Sequence, residues 1–577
     1  MIEISKTQFK EYSKCKYNYA VDKIYHMKNK SGYYKDNIKK ILEGMFDDEG
    51  NDLIANQTNV DIMLPFYKKT EEISMTIASK TFNKKFIYKE NNLDQKKISF
   101  TDNNGYKFYT YLDGYYEDDK EIIVIEVKAT TSNSFKNFGP TVNKVKSPIF
   151  KKNNNIYEID YSLVNSDKKY SNYYQKLFDR YDENGKYIYD IVITSFIMQG
   201  YLKENNIDKK INYYLAVLNS DYEYDGISDY ETSYGEEVVT FINVSQIVKD
   251  YKEPIYNDYL KILNNFLNND FNFHYSKPCK EDCIYKNVCF PFLKNKDNIT
   301  TLMVPKSIKC FDRKMDMIDL INNGYHEIKD IPYELLNNES HKIQWTALDK
   351  NIVFINKDKI KQALDNIEYP IYHLDFEAFQ SPLPRFFKEK PYMQSVFQFS
   401  IHIEKEKGIC DEIKDNYYFL PTDFKDQREE LIKKMIEVIN LDHGGTVLVY
   451  NKNFECSRIK EFMHIFPKYK NELQKIYDHI FDLLDVIRKQ GSDEGLNYYH
   501  KNLHGSYSIK KVLPIFSDLS YDKLNVKNGV EASSTYAMFS YLPKEDIEIY
   551  RKDLIKYCGQ DTYSMVIILN KLYDLIK

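Results

Sequence analysis

Apolar residues fall in short, differently spaced runs along this chain, and the spacing separates strands from helices. From Ile371 to Gln380 the run IYHLDFEAFQ is nearly continuous and ends at the turn SPLP, which predicts a buried strand. A second run, TVLVY from Thr446, leads directly into Asn451, Phe454 and Glu455. In the first half KFYTYLDGYY, the turn EDDKE and IIVIEVKAT predict a β-hairpin, with Asp113 on one arm and Glu126 and Lys128 on the other. SKTQFKEYSKCKYNYAVDKI reads as a helix capped by Ser5, with Phe9, Tyr12 and Tyr17 on one face and Cys15 within it. A second helical pattern covers residues 33–55 and carries Gly44, Asp47, Asp48 and Glu49. The stretch YCGQD is helical, so Tyr557 and Asp561 stand at i and i+4 and share a face.

These elements predict an α/β protein, and 577 residues suffice for two or three domains. Residues 1–295 and 366–577 form the two large units, and 296–365, with patterns such as SIKCFDRKMDMIDLINNG, a small helical connector. Residues 131–185 are rich in Lys, Asn, Ser and Tyr with little periodicity, which marks an insertion exposed as a solvated loop or a cover over a ligand. No long low-complexity linker separates the halves, so they are expected to pack together.

Composition narrows the class. No run approaches the roughly 20 apolar residues that span a bilayer, and MIEISKTQFKEYSK lacks an apolar signal core, so a cytoplasmic protein without a membrane partner is expected. In that compartment the eight cysteines are reduced thiols or metal ligands before they are disulfides. A formal charge of −5 gives no global attraction to nucleic acid, but basic grooves act locally and acidic sites are neutralised by metals.

Asp375 and Glu377 lie two positions apart on a strand, so both carboxylates enter one site as hard oxygen donors suited to Mg²⁺ or Mn²⁺. This acidic pair, the N-x-x-F-acid segment ending at Glu455, and Tyr557-x3-Asp561 form an ordered triple. The triple resembles the three motifs of DEDD exonucleases of the tyrosine subtype, built on an RNase H-like sheet. The resemblance implies that Asp375, Glu377, Glu455 and Asp561 hold two divalent ions while Tyr557 positions the attacking water. Glu455 departs from the aspartate usual there. LDFEAF, PYMQSVFQFSIHI, VLVYNKNFE, GSYSIKKVLPIF and YCGQDTYSM together resemble a bacterial family of uncharacterised two-part proteins over residues 366–577. Ser506, Ser508, Lys510 and Lys511 read equally as a phosphate grip or as a helix cap with a solvated lysine pair.

In the first half Glu126 and Lys128 share a strand face, and Asp113 approaches from the neighbouring arm. Two carboxylates can hold a metal while the ammonium orients or helps deprotonate water. The arrangement resembles PD-(D/E)XK nucleases. Cys15 near the start, with Cys279-x3-Cys283-x5-Cys289 near residue 295, resembles the iron-sulfur members of that class, the CRISPR-adaptation exonuclease and AddB-type nucleases. That resemblance implies a [4Fe-4S] cluster on these four cysteines, with zinc as the alternative. Cys310, Cys410, Cys456 and Cys558 show no ligand spacing and read as small core residues. Asp48 and Glu49 read equally as the acidic position preceding the hairpin or as an exposed acidic run, and the glutamine of related domains falls on Thr194, or on Gln199 after a shift. The function expected is metal-dependent hydrolysis of DNA or RNA, on single strands or free ends, with 3′–5′ exonuclease action in the C-terminal half. The alternative is a nucleic-acid-binding scaffold with one or both sites degenerate, for which Glu455 and Thr194 speak.

Overall fold

The computed structural model describes residues 2–25, 57–230, 236–268, 271–281, 283–310, 313–488 and 496–577. The helical pattern at 33–55, with Gly44, Asp47, Asp48 and Glu49, lies outside the described residues. The chain is a mixed α/β protein built on a six-stranded sheet in its first half and a five-stranded sheet in its second, with smaller sheets beside them.

Helix α1, Lys6–Lys14, starts at a Ser5 capping box closed by Gln8 and buries Phe9 and Tyr12. It stops one residue short of Cys15, which is its C-cap in extended conformation and not a helical residue as the sequence pattern implied. Helix α2 spans Gln57–Phe82. The six-stranded sheet follows with β1 (Gly114–Glu117), β2 (Glu121–Thr131), β3 (Phe150–Asn153) and β4 (Ile156–Ile159). Helix α3 (Gly185–Glu204), β5 (Lys210–Leu218) and β6 (Val239–Asn243) complete it. The strand order is β1-β2-β5-β6-β4-β3, with parallel pairing of β2 to β5 and of β6 to β4.

The expected hairpin is divided. Its first arm breaks at Asp113: Tyr106–Leu112 joins Ile2–Ser5 and Lys96–Thr101 in a separate three-stranded sheet, and only β1 pairs with β2. Along β2 alternate side chains face opposite ways. Ile122 and Val124 pack with α1 and α3, whereas Ile123 and Ile125 pack with Ile73, Met75 and Ile77 of α2. Residues 131–185 supply β3 and β4 at the sheet edge and bury Phe135, Ile149, Phe150, Tyr157 and Leu177, so this segment is structured core, not a solvated loop. Residues 296–365 contain the strand pair Ser307–Cys310 and Arg313–Asp316 besides their helices.

The second sheet comprises β7 (Ile371–Gln380), β8 (Gln394–Glu404), β9 (Asn416–Phe419), β10 (Thr446–Val449) and, after helix α4 (Asn453–Ile465), β11 (Ile480–Asp482). The order is β9-β8-β7-β10-β11: β7, β8 and β9 run antiparallel, and β10 and β11 run parallel to β7. Tyr372, Leu374 and Phe376 face the core shared with α4. Ile371 faces the opposite core, where helix α5 (Gly529–Ala537) and the long helix α6 (Lys544–Leu575) cover the sheet. Strand parity therefore directs Asp375 and Glu377 toward α6.

The two halves share packing through α2. Its first part places Val60, Met63 and Tyr67 in the C-terminal core, with Phe66 against Phe379 at 5.4 Å between ring centroids; its last part belongs to the N-terminal sheet. Among the described residues, no helix is long and apolar enough to cross a membrane.

Candidate functional sites

The C-terminal site is assembled by the central strand and the last helix. A bulge after Glu377 shifts the β7–β8 register, which re-aims the strand beside its acidic pair. Asp375, Glu377 and Cys558 present ligand atoms within 4.8 Å of one another, and this is the one such group among the described residues. The Cys558 thiol donates to Asp375 Oδ2 at 3.4 Å; burial, then the charges of Asp375, Glu377 and Asp561, hold it protonated far above the usual thiol range. Read from spacing as an isolated core residue, Cys558 is buried but stands inside the acidic group. Of the others, Cys410 and Cys456 are only partly buried.

One turn along α6, Asp561 accepts a hydrogen bond from the Tyr521 hydroxyl at 2.5 Å. Tyr557 is buried on the same face, and Lys510 Nζ donates to its hydroxyl at 3.4 Å. The same ammonium lies 5.6 Å from the Tyr557 ring centroid and 5.7 Å from that of Tyr521. Lys510 is thus a contact of Tyr557 and not half of a solvated pair. Ser508 takes the N-cap position of Ile509–Phe516 without a side-chain cap bond. Gly505 admits the close approach that forms this loop: its φ is +78°, and a Cβ there would meet the Thr301 carbonyl at 2.0 Å.

Glu455 is buried in the first turn of α4. Since β10 is parallel to β7 and pairs with it up to His373, the chain leaves β10 at the level of Asp375 and turns into α4 there. Asp482 fixes that turn by accepting the amides of Asn451 and Lys452 at 2.9 and 3.0 Å, with Asn451 in the left-handed region.

The N-terminal site is a ring of charges. Lys128 Nζ donates to Glu126 Oε1 at 3.1 Å and to Asp190 Oδ2 at 2.7 Å; Lys6 donates to Glu126, and Lys10 to Asp190 at 2.6 Å. Asp113 accepts the Val127 amide at 2.9 Å. Burial, then the Glu126 charge, pushes its carboxyl up to about 6. Glu71 of α2 is pushed up to about 8, first by burial and then by the charges of Asp113 and, more weakly, Glu126. Burial acts upward on Asp190 as well, but Lys10, Lys128 and Lys6 hold it far below the usual carboxylate range.

Glu71 and Asp190 were not found by sequence reasoning. The sequence pattern points instead to Asp48 or Glu49 for the acidic position and to Thr194 or Gln199, four and nine residues past Asp190, for the α3 position. Thr194 instead bonds back to the Asp190 carbonyl at 3.3 Å, and Gln199 is exposed. The signal for Asp190 is a buried carboxylate set between apolar residues in the first half of α3.

Cys15, Cys279, Cys283 and Cys289 are free thiols gathered where the end of α1 meets residues 279–289. Burial, with the neighbouring thiols adding to it, pushes Cys283 and Cys289 up to about 12 and raises Cys15. They do not form a group with sulfurs within 4.8 Å, whereas four zinc bonds of about 2.3 Å would set sulfurs about 3.8 Å apart.

The chain is thus a mixed α/β protein whose two large sheets each carry a group of acidic side chains. Residues 372–508 match a domain of unknown function, DUF2779. An uncharacterized protein of Ureaplasma parvum serovar 3 is 28% identical over 249 residues, which cover 39% of this chain and 36% of that relative. The chain therefore matches little more than a third of the relative's length. No solved structure matches.

Proposed function

We propose that the chain is a metal-dependent nuclease whose C-terminal half trims nucleic acid from its 3′ end. The observation that carries this reading is the meeting of Asp375 and Glu377, on the central strand, with the Tyr557–Asp561 turn of α6. A sheet with three antiparallel strands followed by two parallel ones, the acidic pair on the first, supports the RNase H-like assignment. The oxygen-rich donor set, with Cys558 kept as a neutral thiol, suits Mg²⁺ or Mn²⁺ held by Asp375, Glu377, Asp561 and Glu455. Bound divalent ions would stabilise the attacking and leaving oxygens of phosphodiester hydrolysis. Tyr521 orients the Asp561 carboxylate, and Lys510, donating to the Tyr557 oxygen, leaves the phenolic proton for the attacking water.

The N-terminal site is assigned to the PD-(D/E)XK class, with Asp113, Glu126 and Glu71 as metal ligands and Lys128 beside the reacting water. The four cysteines are assigned to a [4Fe-4S] cluster, with zinc as the alternative. The scaffold reading retains one argument, the longer Glu455 side chain where aspartate is usual.

Labelled DNA and RNA incubated with the purified protein and Mg²⁺ or Mn²⁺ test the assignment. With the N-terminal site disabled by Glu126→Gln, Asp375→Asn should eliminate 3′ trimming, and Tyr557→Phe should slow it roughly a hundredfold or more. Both variants should melt with the parent in metal-free buffer. Trimming at the parent rate by either one overturns the C-terminal assignment.

A further inference from the structure

Three polar side chains of β8 reach across to α6. Along that strand Phe399 and Ile401 face the core shared with α4, whereas Gln398, Ser400 and His402 alternate with them and face α6. All three are fully buried, as is Thr562 of α6. Gln398 donates to the Leu554 carbonyl at 2.9 Å, and the Ser400 and Thr562 hydroxyls share a hydrogen bond of 2.9 Å. His402 Nε2 lies 3.0 Å from the Glu412 carbonyl, which only accepts, so Nε2 carries the ring proton and Nδ1 is left as an acceptor. Thr562 Oγ1 stands 2.7 Å from that nitrogen and donates to it; the carbonyls of Gly559 and Cys558 on its own helix are farther, at 3.1 and 3.4 Å. Asn416 of β9 donates to Ser400 Oγ at 2.8 Å and to His402 Nδ1 at 3.0 Å, which closes the network.

These bonds are matched in position to the C-terminal acidic group. Across the β7–β8 ladder Glu377 pairs with Gln398, and Asp375 with Ser400. On α6, Leu554 lies three residues before Tyr557, and Thr562 follows Asp561 directly, one turn beyond Cys558. The helix is therefore gripped on either side of the Tyr557–Asp561 turn by the strand neighbours of the two acids. Apolar residues at these positions would hold a helix on a sheet with less desolvation cost. Directed hydrogen bonds add a defined rotation and height of the helix. We propose that Gln398, Ser400, His402 and Thr562 are positioning residues of the C-terminal site, setting the rotation of α6 that brings Tyr557 and Asp561 to Asp375 and Glu377. The inference rests on the nuclease reading of the C-terminal half.

The test uses the full chain with the N-terminal site disabled by Glu126→Gln. Mn²⁺ binding is followed by the paramagnetic resonance of the free ion, trimming by release from a labelled strand, and melting by circular dichroism in metal-free buffer. Thr562→Val keeps the side-chain shape and removes the bonds to Ser400 and His402. It should weaken the Mn²⁺ binding that Asp375→Asn abolishes by about tenfold, as is typical when groups that orient ligands are lost. It should lower kcat for 3′ trimming by about tenfold or more, with KM for the strand within about twofold. Thr562→Ser, which keeps the hydroxyl, should restore both. Gln398→Met and Ser400→Ala, each removing part of the grip, should shift Mn²⁺ binding and kcat in the same direction, and they decide the matter if Thr562→Val fails to fold. A lower melting temperature with Mn²⁺ binding and kcat at the parent level would show that the network only holds the fold together, and would overturn the proposal. A Thr562→Ser variant as impaired as Thr562→Val would overturn it as well. Should Asp375→Asn itself bind Mn²⁺ and trim like the parent, the nuclease reading of this site falls, and the inference with it.

Discussion

Burial, then the charges of Asp113 and Glu126, push the Glu71 carboxyl up to about 8 from its ordinary 4.5. Between those values the folded chain keeps a proton that the unfolded chain has released, so stability falls as pH rises through that interval. Asp113, pushed up to about 6, acts in the same direction over the lower part of the range. In metal-free buffer the melting temperature should therefore decline from about pH 5 to about pH 8. Glu71→Gln should flatten the decline and melt above the parent at the upper end, as followed by circular dichroism. A parent curve that rises with pH would remove Glu71 from the acidic group. At this scale the sequence was legible where one element holds both partners: Asp375 and Glu377 through strand alternation, Tyr557 and Asp561 through helical spacing. Glu71 on α2 and Asp113 at the strand break are 42 residues apart, and no local period connects them. The structure also changes what Lys128→Ala would report: losing that ammonium takes away one of the cations that hold buried Asp190, at a cost of about 1–3 kcal/mol in folding as well as chemistry.

At the scale of elements, α1 is held at both ends, by its capping box and by Cys15 among the gathered thiols. If those thiols hold an iron-sulfur cluster, protein purified without oxygen should be brown, and Cys283→Ser should lose the colour and lower the melting temperature of the N-terminal half. Colourless protein with stoichiometric zinc would overturn the cluster. The strands β2, β7 and β10 were evident from apolar runs. The break at Asp113 was hidden because the polar residue sits within a continuous tyrosine-rich stretch, and β3 and β4 because their lysines and asparagines mask a two-residue period.

For the molecule as a whole, α2 makes the halves one packed body. Val60, Met63 and Tyr67 are each at most 2% exposed against the C-terminal core. Burying such side chains is worth about 1.5–3 kcal/mol apiece, set against a typical domain stability of about 5–15 kcal/mol. Residues 366–577 produced alone should accordingly melt well below the intact chain or aggregate, and a fragment as stable as the whole protein would contradict the shared core.

The positions that α2 gives to the two halves, Val60, Met63, Tyr67 and then Glu71, recur every three or four residues and trace one stripe along a single helix. A helix advances about 100° per residue, which makes this stripe a gear whose teeth mesh with one half while a later tooth sets the other. Adding or removing one residue between Tyr67 and Glu71 would leave the C-terminal mesh engaged and swing the Glu71 carboxyl about a quarter turn away from Asp113. The N-terminal acidic group is thus phased by the C-terminal core, and the length of α2 between them is as much a determinant of that group as the identity of its carboxylates.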